Sequence, residues 1–272
     1  MNVISKNKLL KKRTIEDYGF ILFFSGIFFL PSTLFVGILL LLPASIIGSF
    51  LNKKSFFKDP WNYPFLIFGG FILLSTFLQN FILINRYQSI WDPSSSIIGT
   101  GNWIPFIWLF WAFQPYLNSK SKRKTFGLTL ISGSLPVLIT GLGQYFFNWT
   151  GPFETLNGLI VWYQRPIAPP GGLTGLFNHQ NYAGSWLNLV WPFCLALFLE
   201  KRKNIFRHTV ALGFLISVGL SAFLTFSRNA WLGLLVSAPL ILGKKSIFII
   251  LPIIAILFFL LSPIFLRDLQ IN

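Results

Sequence analysis

Four arginines stand apart from the other basic residues of this chain. When its apolar runs are taken to cross a bilayer in turn, starting from the inside, all 14 lysines fall on the inner side. The outer side keeps only Arg86, Arg165, Arg228 and Arg267. A guanidinium presents a planar fork of donors that matches a phosphate or a carboxylate, and it stays charged when partly desolvated. Arg86 and Arg267 sit at span ends, where lone arginines commonly snorkel to the headgroups. Arg228 lies in Thr225-Phe226-Ser227-Arg228-Asn229-Ala230-Trp231, with apolar runs on both sides and almost no loop. A charge so close to hydrocarbon is costly unless it faces an aqueous cavity or an anion. A tight turn capped by Ser227 or Asn229 would hold it equally well without any ligand.

Arg165 belongs to the longest outer loop, 148–175, whose Trp162-Tyr163-Gln164-Arg165-Pro166 and Pro169-Pro170-Gly171-Gly172 stretches are rich in turn formers. The loop leads into Gly175-Leu176-Phe177-Asn178-His179-Gln180-Asn181-Tyr182-Ala183-Gly184, where an apolar run begins. Asn178, His179, Gln180 and Asn181 thus stand at a helix entrance, and the free N–H groups there favour an anion. Capping by Asn178 or Asn181, with His179 an interfacial residue, accounts for the same pattern.

Other chemistries find little support. The acidic residues assigned outside, Asp92, Glu154 and Asp268, are far apart in sequence, so no metal site is expected. The glycines at 171, 172 and 175 are not followed by Gly-Lys-Ser/Thr and make no nucleotide-binding loop. One cysteine, Cys194, allows neither an intrachain disulfide nor a cysteine metal cluster. No span interior holds Asp, Glu, Lys or Arg, which weakens a proton-coupled transport reading. No cofactor is expected.

The elements that must position these residues are membrane helices. The chain has 272 residues, 54% hydrophobic and 11% charged, against about 25% charged in a soluble domain. Apolar runs at 18–51, 63–84, 103–117, 126–147, 182–199, 209–226, 230–243 and 247–266 are bounded by charged or turn-rich clusters. The first is too long for one helix and divides at Pro31-Ser32-Thr33. The expected fold is therefore all-α: a polytopic integral membrane protein of about nine transmembrane helices, forming a single multi-span domain over 1–272. With the N-terminus on the cytoplasmic side and the C-terminus outside, 18 basic residues lie inside and four outside, as the positive-inside rule requires. The net charge of +15 is thereby explained by orientation, and no nucleic-acid partner is expected.

With both motifs in view, the sequence resembles the O-antigen ligase and O-antigen polymerase family of bacterial inner-membrane proteins. The resemblance rests on Gly175-x-Phe177-x-His179-x-Asn181-Tyr182-Ala183 and, further along, Thr225-x-Ser227-Arg228-x-Ala230-Trp231. It implies a helical core like that of class C glycosyltransferases, and metal-independent transfer of a glycan from an undecaprenyl-diphosphate carrier to a lipid A-core or growing polysaccharide acceptor. Arg228, with Arg165 as a looser partner, would bind the lipid-linked diphosphate. Asn178, His179, Asn181 and Ser227 would line the pocket. The family's periplasmic loop, with the histidine proposed as base, would lie beyond Asn272, so the chain corresponds to the N-terminal part of a family member. His179 could take over as base but lacks an evident orienting partner. Two other functions fit the same sequence: passage of a small solute such as bicarbonate, and a non-catalytic membrane partner in an assembly complex.

Overall fold

A computed structural model describes residues 3–82, 93–158, 160–167, 171–200, 204–243 and 246. The ninth expected span, 247–266, lies outside the described residues, as do Arg86, Asp92, Arg267 and Asp268.

The first long apolar run becomes two helices, α1 (Val3–Phe29) and α2 (Leu34–Leu51), parted at 30–33 as Pro31 requires. Next come α3 (Tyr63–Phe77), continued by a π turn over Leu78–Ile82, and α4 (Pro93–Ala112). The expected fourth span was shorter and later, 103–117. Pro93 suits a first helical turn, so α4 starts among serines ahead of its apolar residues. It stops at Ala112, just before a 3-10 turn that contains Pro115.

The run expected as one span at 126–147 lies within one stretch long and apolar enough to cross a membrane, Lys120–Phe147, which is interrupted once to give α5 (Lys120–Gly133) and α6 (Leu135–Phe147). Ser134 joins them ahead of Pro136, whose missing N–H and bulky ring interrupt the helix. Then follow α7 (Gln180–Leu199), α8 (Ile205–Leu224) and α9 (Arg228–Leu242). The loop after α6 adds a short antiparallel hairpin, β1 (Phe153–Thr155) with β2 (Ile160–Trp162), to the otherwise helical elements of the described residues.

Among the described residues five stretches are long and apolar enough to cross a membrane: Leu34–Leu51, Pro60–Phe81, Lys120–Phe147, Gln180–Leu199 and Ile205–Leu224. Helix α9 is apolar but shorter. In hydrocarbon a helix satisfies its own backbone groups, which is why such runs adopt no other form there. The chain is a membrane protein.

Two compact units divide the chain. The first combines Met1–Gly26 with Ile38–Lys124. Its centre is Tyr116, fully buried, whose hydroxyl donates to the Ala44 carbonyl at 2.8 Å while its ring stacks on Phe23. Within it Lys122 pairs with Glu16 at 3.0 Å, and the Trp111 indole N–H donates to the Lys54 carbonyl. The second unit, Ile27–Gly37 with Thr125–Asn272, packs around Leu187, Val190 and Cys194 of α7, Val218 and Ala222 of α8, Ile131 of α5 and Leu138 of α6. Every residue singled out above as a site candidate belongs to this second unit.

Candidate functional site

Arg228 is the first residue of α9, and a three-residue turn presents it. Thr225 closes α8, with its hydroxyl donating to the Ala222 carbonyl at 2.7 Å and accepting from the Ser227 N–H at 3.3 Å. Phe226 takes a left-handed conformation, φ 50°, which reverses the chain within one residue. Ser227 occupies the cap position of α9 but is buried, and its hydroxyl makes no capping bond. The turn anticipated in the sequence is therefore real, but Thr225 holds it, not Ser227 or Asn229. Trp231 locks the far side by donating to the Phe223 carbonyl at 2.9 Å and stacking on the Phe223 ring. Arg228 and Asn229 are exposed, and Ala230 is buried.

The entrance of α7 lies against this turn. A side chain at Gly184 would come within 2.9 Å of the Ala230 Cβ and 3.1 Å of the Ser227 Cβ, so only glycine permits the approach. Asn188, one turn further along α7, donates to the Asn229 carbonyl at 2.9 Å. The cap of α7 is His179, where the sequence pointed to Asn178 or Asn181. Its Nδ1 accepts from the Asn181 N–H at 3.1 Å. The ring thus serves the backbone at the start of α7 through its Nδ1. Asn178, His179 and Asn181 are all exposed.

The loop between α6 and α7 is pinned to the same assembly. The Leu173 N–H donates to the Leu224 carbonyl at 2.9 Å, and a Cβ at Gly172 would collide with the Thr225 carbonyl oxygen. The Gly172 N–H donates to Gln180 at the start of α7. Gly175 is left-handed, φ +55°, and abuts Val137, which explains a glycine at the head of the first motif. The exposed side chain of Arg165 hangs from a backbone whose carbonyl accepts from Gln144 of α6 at 2.8 Å. The neighbouring Gln164 is buried and donates to the carbonyls of Thr140 and Trp149.

The structure thus places Asn178, His179 and Asn181 at the entrance of α7, the helix whose Gly184 packs on Ser227 and Ala230, and ties Arg165 to the same unit through its main chain. Sequence reasoning missed Gln144 and Gln164. The available signal was a lone amide inside an otherwise apolar run at 144. The hairpin too was missed, although Asn157-Gly158, both at positive φ, is a common turn pair.

Compared with family models, curated proteins and solved structures, the chain matches none. Its chemistry must be judged from the site alone. Two adjoining helix N-termini present a set of polar groups: a guanidinium on the first residue of one, and exposed amide and imidazole side chains at the other. Such a set suits an anion with several oxygens.

Proposed function

We propose that this protein transfers a glycan from an undecaprenyl-diphosphate carrier to a lipid A-core or growing polysaccharide acceptor at the periplasmic face of the bacterial inner membrane, as an O-antigen ligase or polymerase does. The observation that carries the reading is the close packing of Gly184 on Ser227 and Ala230, which makes one surface of the two motifs. In this reading Arg228 binds the carrier diphosphate, with Arg165 as its partner, and Asn178, His179, Asn181 and Ser227 shape the pocket. The diphosphate gains charge as the glycosyl bond breaks, and a bidentate guanidinium stabilises that charge best in the transition state. In this reading His179 caps the entrance of α7 through Nδ1.

The proposed topology has nine spans with the N-terminus inside. Three contacts support it. Glu16 meets Lys122, Trp111 meets Lys54, and the Trp162 indole N–H donates to the Ser32 carbonyl. The first joins two segments assigned inside, the second ties the end of α4 to the inner loop at Lys54, and the third joins two segments assigned outside.

Arg228→Ala should lower glycan transfer by about 10²–10³-fold, the usual loss on removing one group that stabilises transition-state charge, with normal insertion in the membrane fraction. Transfer at the wild-type rate by a fully inserted Arg228→Ala protein would overturn the diphosphate role.

A further inference from the structure

Gln144 is an amide on α6 with only 2% of its surface exposed. An unpaired amide at such a site would be costly, so what satisfies it is informative. Its Oε1 accepts from the Thr174 N–H at 2.9 Å and from the Gly175 N–H at 3.1 Å. Its Nε2 donates to the Arg165 carbonyl at 2.8 Å and to the Thr174 hydroxyl at 2.9 Å. One side chain therefore pins two separate points of the outer loop. Two residues back from Thr174, Gly172 is pressed against the Thr225 carbonyl, and Leu173 is bonded to Leu224. Thr225 in turn orders the residues that lead to Arg228. A continuous set of hydrogen bonds and backbone contacts runs from Arg165 through Gln144 and 172–175 to the turn that carries Arg228.

From this connectivity we infer that Gln144 is a positioning residue: it sets the spacing of Arg165 and Arg228, and thereby selects a lipid diphosphate over a lipid monophosphate. The inference rests on the reading that Arg228 binds the carrier. Two phosphates joined by one bridging oxygen lie a fixed distance apart, so a guanidinium for each demands a fixed spacing between the arginines. A monophosphate engages one arginine and is indifferent to that spacing.

The test titrates undecaprenyl diphosphate and undecaprenyl monophosphate into the full chain in detergent, followed by tryptophan fluorescence. Gln144→Glu keeps the acceptor arm to Thr174 and Gly175 but turns the donor to Arg165 into an acceptor. Gln144→Asn keeps both groups on a shorter arm, and supplies the result if the glutamate variant does not fold. Either should reduce the preference for diphosphate by about tenfold, the worth of one charge-assisted hydrogen bond, with monophosphate binding unchanged. Arg165→Ala should cause the same loss, and combining it with the Gln144 variant should add nothing further. A folded Gln144 variant that keeps the full preference, or losses that add, overturns the positioning role. If Arg228→Ala binds both lipids as the wild type does, the carrier-binding reading itself has failed, whatever the Gln144 variants do.

Discussion

At the scale of single residues, hydrogen-bond accounting separates capping and clamping from catalysis. His179 spends Nδ1 on the Asn181 N–H, so its replacement should act on α7 before it acts on chemistry. His179→Ala should cost about 0.5–2 kcal/mol as a lost helix cap, seen as a lower Tm in detergent, and His179→Asn should recover most of it. A base would behave otherwise: His179→Asn would then abolish transfer while leaving the Tm unchanged. Gln144→Met makes a stronger demand on stability. It leaves the Arg165 carbonyl and the Thr174 and Gly175 N–H groups without their partner, and each unsatisfied buried group costs about 1–3 kcal/mol. The Tm of this variant should fall further than that of His179→Ala.

Among the helices, glycines mark which faces must approach and which merely face outward. Gly184 on α7 meets Ala230 and Ser227, whereas Gly213 on α8 has no heavy atom within 4 Å of the place its Cβ would take. Both are helical, so propensity favours alanine at each by roughly 0.5–1 kcal/mol. At Gly184 the gain is outweighed, because the Cβ would force α7 away from the Ser227–Arg228 turn; overpacking of this kind costs about 1–3 kcal/mol. Gly213→Ala should therefore leave the Tm equal or higher, and Gly184→Ala should lower it along with lipid diphosphate binding. A matched response of the two variants would mean that the α7 contact with the turn does not govern the site. The hairpin and the break at Ser134 belong to this scale as well. One follows from consecutive left-handed residues, the other from a proline that removes a helical hydrogen bond.

For the molecule as a whole, orientation is the property with the most direct test. The hairpin tip at Asn157 is assigned to the outer side, Ser55 to the inner side, and the single cysteine, Cys194, is fully buried. In intact cells a membrane-impermeant maleimide should label a cysteine introduced at 157. It should label one at 55 only after permeabilisation, and Cys194 only after denaturation. Labelling of position 55 in intact cells would reverse the proposed topology.

Hydropathy and charge, read along the chain, were enough for the membrane class, the division of the first run at Pro31, the entrance at 178–181 and the turn that exposes Arg228. These are local properties: transfer into hydrocarbon and helix interruption depend on a residue and its near neighbours. What only the tertiary structure decided is which local features meet. Nothing in a 3.6-residue period indicates that Gln144 bonds residues 21 and 31 positions away, or that Gly172 lies on the Thr225 carbonyl. The capping role of His179 was hidden for a related reason. Asparagine is the commoner cap, and the backbone around 178–181 chose the histidine. Such pairings come from packing the helices together, where a buried amide takes whichever backbone groups the fold brings within reach.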